Sequence, residues 1–189
     1  MTTITVDQFA VASTQWARLR NGQFARNWPV KGGWEGWVQV DLTAHIIAAD
    51  SRIDILREQP VYANNRQRCD LLLNADEVPA DQIPVEIKAE SFDNRGRFIN
   101  GVEEDLDKFD GRDGAYLNST CVMLAIPFSQ GGYDELLALQ RGGHRIFHSI
   151  FIGEVACVMA VWMPGRGWLS PTQVPAAEAT GKLARPESP

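Results

Sequence analysis

Glu86 and Lys88 stand two residues apart in the run Ile-Pro-Val-Glu-Ile-Lys-Ala, residues 83–89. In an extended strand, neighbouring side chains face opposite sides. Val85 and Ile87 then point into a core, and Glu86 and Lys88 point the other way together. A carboxylate and an ammonium on an otherwise apolar strand are costly to bury without a task. Asp70 lies upstream, beside Cys69 and followed by Leu71, Leu72 and Leu73. If its strand pairs with 83–89, Asp70 and Glu86 converge, and two hard carboxylates at one point suit Mg2+ or Mn2+. Each feature has a plainer alternative. Glu and Lys two apart also mark a solvated strand face, a lone Asp also ends a hairpin, and acid-x-Lys arises by chance roughly once in a chain of this length.

The elements that would position these groups follow from periodicity and turn residues. A helix is predicted over 7–21, with Asp7 as N-cap, Gly22 after its end, and Phe9, Ala12, Trp16 and Leu19 on one face. A second helix is predicted from Trp34 to Ala49, its stripe Val38, Leu42, Ile46 and Ala49, with Glu35 one turn before Val38 on the same stripe. Residues 53–62 and 66–74 read as a hairpin around Asn64-Asn65. After the strand 83–89 comes a helix at about 102–110, then an apolar strand at 120–127 of the kind covered on both faces. A helix over 133–139 and strand structure over 145–163, with Gly153 as turn or bulge, complete the order. The fold class is α/β (α+β), a mixed central sheet flanked by helices. Residues 1–169 read as one domain and the Pro- and Ala-rich 170–189 as a poorly ordered tail.

Helix with Glu35, hairpin with Asp70, strand with Glu86-Ile87-Lys88, helix, then strand: this order resembles the αβββαβ core of the PD-(D/E)XK nuclease superfamily, which has a restriction-endonuclease-like fold. The resemblance covers about residues 34–127. Cys69 stands where the superfamily pattern has Pro, and the gap of 15 residues between Asp70 and Glu86 is one the superfamily tolerates. The resemblance implies metal-assisted phosphodiester hydrolysis with Mg2+ (or Mn2+). It implies Asp70, Glu86 and the Ile87 carbonyl as metal ligands, Lys88 acting on the water and the developing charge, and Glu35 as the fourth catalytic residue. It implies nucleic acid as partner, DNA in preference to RNA, and is compatible with a homodimer.

Several further residues carry two readings. Arg66 and Arg68 share a face with Asp70 by period two, so they either meet a phosphate or pair with local acids. Glu90 supports the site or is the exposed end of its strand, the second being slightly favoured. Lys108 is a polar active-site residue or an exposed helix lysine, and Glu35 and Asp41, on one helix, are each a functional acid or a solvent-exposed helical one. Segment 16–34 interleaves Trp16, Phe24, Trp28 and Trp34 with Arg18, Arg20, Arg26 and Lys31. That pattern can stack bases and grip phosphates, although aromatics at helical spacing are more often core. His144 and His148 lack a third ligand and read as ordinary strand residues.

The formal net charge is −6, which argues against tight nonspecific duplex binding. The charge is uneven. Residues 1–34 carry four basic side chains against Asp7, net +3, while 35–163 carry 11 basic and 21 acidic ones, net −10. Cys69, Cys121 and Cys157 have no ligand spacing and read as buried thiols in a reducing, cytoplasmic setting. No secretory signal and no apolar run of membrane-spanning length stand out, so no membrane partner is expected. The rival to a nuclease is a catalytically inactive nuclease-fold module that binds protein or nucleic acid. A third use of the active fold, as an interbacterial toxin or a defence protein, has no direct support in the residues.

Overall fold

Thr5 starts the first helix. Its hydroxyl accepts the Gln8 N–H at 3.2 Å, and the Gln8 side chain accepts the Thr5 N–H at 2.8 Å, a reciprocal cap. In this computed structural model, which describes residues 2–31, 33–149 and 157–171, helix α1 spans Val6–Asn27. Thr5, not Asp7, is therefore the cap, and the helix passes through Gly22 instead of stopping there. A mid-helix glycine costs about 1 kcal/mol. Burial of Phe24 against Trp16, Trp34 and Trp37, with ring centroids 5.2–6.0 Å away, outweighs that cost. The aromatics of 16–34 are thus mainly core: Trp16, Phe24 and Trp34 are buried, and half-buried Trp28 stacks on Phe128 at 4.5 Å.

Helix α2 (Glu35–Ala49) buries Val38, Leu42 and Ile46 as its periodicity requires, although Ala49 is exposed. There follow β1 (Ile55–Gln59), β2 (Cys69–Leu73), β3 (Ile83–Ala89), α3 (Phe98–Lys108), β4 (Cys121–Ile126) and α4 (Gln130–Ala138). Helix α3 begins four residues before Val102 because Phe98 also reaches the core. Short strands β5 (Gln140–Arg141) and β6 (His144–Arg145) pair with each other. β7 (His148–Ser149), β8 (Val158–Met163) and β9 (Gly167–Trp168) complete the main sheet. Gly153 and residues 172–189, most of the expected tail, lie outside the described residues.

The main sheet runs β1-β2-β3-β4-β8-β7, with β9 paired to β8. Among the described residues only β3 and β4 pair in parallel, joined through α3; the other pairs are antiparallel. This is an α+β fold with a mixed sheet, as the sequence implies. One face packs Leu71, Leu73, Val85 and Ile87 against α1 and α2. The other packs Leu72, Met123 and Ala125 against α3 and α4. Asn74 ends β2 at a φ of 56°, which Asn tolerates better than most residues. Its side chain binds both backbone groups of Ile4, at 2.8 and 3.1 Å, and so ties the N-terminal segment to the sheet. Among the described residues no helix is long and apolar enough to cross a membrane.

Candidate active site

The ladder around β2 is interrupted on both edges at Asp70. Against β1, pairing runs through Arg57↔Leu71 and resumes at Gln59↔Cys69, skipping Glu58, whose φ is 55°. Against β3, pairing stops at Leu71↔Val85, one step before Asp70 would meet Glu86. β3 therefore continues past its partner with free N–H groups on the vacated edge, and carboxylates take them. Asp70 Oδ2 accepts the Ile87 N–H at 2.6 Å, and Glu35 Oε2 accepts the Ala89 N–H at 3.1 Å. The Ile87 carbonyl lies on the same strand edge as its N–H, so it also faces the Asp70 side. Glu35 reaches this edge from the first turn of α2.

Glu86 and Lys88 project on the α3 side, and α3 answers with Asp105 and Lys108, three residues apart on one helix face. Lys108 Nζ lies 3.1 Å from Glu86 Oε2 and 2.6 Å from Asp105 Oδ1. Lys88 Nζ lies 2.9 Å from Asp105 Oδ2 and 3.4 Å from Glu35 Oε1. The Lys88 stem passes beside Gly101, where a Cβ would already stand 3.4 Å from it. Tyr62, from the β1–β2 connection, donates its hydroxyl to Glu86 Oε1. Asp70 Oδ1 accepts from Gln39 at 2.6 Å, and Arg57 claims the Gln39 carbonyl oxygen at 2.6 Å. That second bond fixes the orientation of the Gln39 amide, which must turn its NH2 to Asp70.

Burial sets the titration of this cluster. It pushes Asp70 up to about 7 against the opposing Ile87 N–H, with the charges of Glu35 and Asp105 adding to the rise. Burial and then the Asp70 charge push Glu86 up to about 8, against Lys108. Glu35 is raised by burial, with Lys88 and the Ala89 N–H opposing. Burial alone would lower the Lys88 pKa, but Asp105 and Glu35 more than offset it and leave it raised. Lys108 behaves the same way, with Glu86 and Asp105 as the offsetting charges.

No protein-family model, curated protein or solved structure matches this chain. Its chemistry must be read from its own side chains.

Asp70 and Glu86 are hard oxygen donors whose charges repel and whose burial disfavours ionisation. Such a pair is stabilised by a proton or by a cation, and the donor set fits Mg2+ or Mn2+. Among the described residues no three His, Cys, Asp or Glu side chains already form a ligand cluster. Among the described residues the cations paired with this cluster's Glu35, Glu86 and Asp105 are Lys88 and Lys108.

The structure brings Glu35, Asp70, Glu86, Ile87 and Lys88 into one network. It does not place Arg66 and Arg68 on β2, which begins at Cys69. Both are exposed in the preceding turn, and Arg68 donates to the Asn65 and Gln67 carbonyls, so neither shares a strand face with Asp70. Lys108 is in the cluster rather than an isolated surface lysine. Asp41 is elsewhere, bound by Arg20 at 2.6 Å and by the Trp16 indole at 2.7 Å. Glu90 is not an exposed strand end. It is buried and receives the Phe128 and Ser129 N–H groups and the Ser129 hydroxyl, each at 2.7 Å, at the start of α4. Asp105, Gln39, Arg57 and Tyr62 were not singled out by sequence. Asp105 carried one available signal: with Leu106 and Val102 it falls on the buried side of α3, where an acid needs a partner.

Proposed function

We propose that this chain is a Mg2+- or Mn2+-dependent nuclease of the PD-(D/E)XK kind, hydrolysing phosphodiester bonds of nucleic acid, with DNA favoured over RNA. The observation that carries the reading is Asp70 seated on the Ile87 N–H where the β2–β3 ladder breaks, beside Glu86, whose ionisation its charge opposes, with Lys88 two residues on. The element order helix, three strands, helix, strand around them supports it. Asp70, Glu86 and the Ile87 carbonyl would hold the ion, which when bound supplies Lewis acidity and an acidified water.

The chain's own residues do the rest. Gln39, held by Arg57, orients the Asp70 carboxylate. Tyr62 orients Glu86. Lys88 holds its proton near the Glu35 carboxylate and can offer it to negative charge developing on the phosphate. Glu35 holds the Lys88 ammonium at the wall of a cleft of about 540 Å3, also lined by Arg97 and Glu104, which would admit substrate to the Lys88 end of the cluster. Buried free Cys69, Cys121 and Cys157 support a reducing, cytoplasmic setting.

One observation favours the second reading, a catalytically inactive nuclease-fold module that binds protein or nucleic acid. Lys108 and Lys88 already neutralise Glu86 and Asp105, as an internal substitute for a cation would. Incubation of the purified chain with labelled single-stranded and duplex DNA and RNA separates the two. The nuclease reading expects cleavage with Mg2+ or Mn2+ that EDTA abolishes. A folded chain that cuts none of them across metals and pH belongs to the second reading.

A further inference from the structure

Phe92 is 53% exposed, yet its backbone is fixed. Its N–H donates to the Trp28 carbonyl at 3.1 Å. Asn94 braces the same loop, accepting the Ser91 N–H at 2.7 Å and donating to the Ala89 carbonyl at 2.9 Å. The Arg95 guanidinium lies 4.8 Å from the centre of the Phe92 ring. Two residues on, Arg97 lines the cleft that Glu35 and Lys88 also border. The bond to Trp28 joins this loop to the end of α1 and the segment after it, where Arg26 and Lys31 are exposed. The segment that carries them has no acid between Asp7 and Glu35. Against Arg26, Lys31, Arg95 and Arg97 the strip itself carries one exposed acid, Asp93, and the cleft it reaches is bordered by Glu35 and Glu104 as well as by Lys88 and Arg97.

An exposed aromatic ring on a pinned backbone, with a planar guanidinium beside it and further cations on either side, matches what an unpaired base and its flanking phosphates require. Bases inside a duplex present no free face to such a ring. We infer that the strip formed by Arg26, Lys31, Phe92, Arg95 and Arg97 binds single-stranded nucleic acid, stacking one base on Phe92 and Arg95 and leading the backbone toward the Lys88 cleft. The inference rests on the proposed nuclease reading and specifies the form of its substrate.

The test is fluorescence anisotropy of a labelled single-stranded oligonucleotide and its matched duplex, titrated with the full chain in EDTA. The single strand binds more tightly than the duplex. Phe92→Ala weakens single-strand binding by roughly 5- to 100-fold, the loss of one stacked base, and Phe92→Trp restores it. Arg97→Ala lowers the salt dependence of single-strand binding by about 0.7 in the log–log slope, one phosphate contact. Melting curves matching the wild type show that the variants are folded. Wild-type affinity in Phe92→Ala, or an equal loss for duplex, overturns the inference. Because EDTA removes the metal, the two readings fail separately. Phe92-dependent binding by a chain that cuts nothing upholds this inference and removes the nuclease. Cleavage with Phe92-independent binding does the reverse.

Discussion

Lys108 places its ammonium 3.1 Å from Oε2 of Glu86. The buried carboxylate of β3 is therefore neutralised from α3, while Lys88, its neighbour on the strand, turns to Asp105 and Glu35. Lys108→Ala leaves Glu86 buried without its cation. At pH 8.5 without metal, the substitution should cost roughly 1–3 kcal/mol, below the range for fully buried pairs because Lys108 is partly exposed. The cost should shrink at pH 6, where Glu86 already holds a proton. Urea denaturation at the two pH values measures this, and an equal cost at both would remove Lys108 as the partner of ionised Glu86.

Asp70 is raised to about 7 and Glu86 to about 8, both above their unfolded values near 4. Between those limits the folded chain holds protons that the unfolded chain has lost. Metal-free stability should therefore fall as pH rises from about 5 to about 8 and level off above that. Glu86→Gln removes one of these charges while an amide can still accept from Lys108 and donate to the Tyr62 oxygen. That variant should flatten the decline and melt higher than the wild type at pH 8.5, by about 2–4 °C for each kcal/mol recovered. Thermal melts across this pH range measure it, and a wild-type profile that rises instead of falling would contradict the assigned shifts.

A cation that binds the ionised pair must displace those protons. Millimolar Mg2+ or Mn2+ should raise the melting temperature at pH 7.5, and calorimetric titration should detect proton release that depends on the buffer's ionisation enthalpy. Both effects should vanish in Glu86→Gln. A wild-type melting temperature indifferent to either metal would count against a functional site.

Glu90 has a separate task. Its carboxylate satisfies two N–H groups at the start of α4, and a Cβ on Gly132 would lie 2.7 Å from Glu90 Oε2. Glu90→Ala should cost roughly 1–3 kcal/mol, from two half-buried N–H groups left without their acceptor. Glu90→Gln, which keeps an acceptor for both, should cost much less. Neither should change metal binding in the fraction that remains folded, and a calorimetric titration that showed otherwise would move Glu90 into the site.

The order of elements and the strand carrying Glu86 and Lys88 were legible because alternation and apolar flanks are local signals. Val85 and Ile87 lie in one core layer and Glu86 faces the other, as alternation requires. The long reach of α1 was not legible, because Gly22 signals a stop and only the burial of Phe24 overrides it. Arg66 and Arg68 share Asp70's face only in a β2 that reaches back to residue 66, and their exposed side chains gave no signal that it stops short. Pairing begins only at Cys69, and Cys69 itself joins the α3-side layer with Leu72, which breaks strict alternation at Asp70. Asp105 and Lys108 were obscured by the acidic run around them. Which charged face of an amphipathic helix meets a buried carboxylate depends on the packing of α3 over β3, and that is a tertiary fact.

The most direct test is the single-turnover cleavage rate of a labelled nucleic acid as Mn2+ is raised, compared between the wild type and folded Asp70→Ala and Lys88→Ala variants. The account predicts a saturable, EDTA-sensitive rate for the wild type. Asp70→Ala should lose essentially all turnover. Lys88→Ala should bind metal nearly as the wild type does and yet be slowed by roughly 100-fold or more, because it acts on the developing charge rather than on the ion. No metal-dependent cleavage by the folded wild type, or cleavage that Lys88→Ala performs equally well, would contradict it.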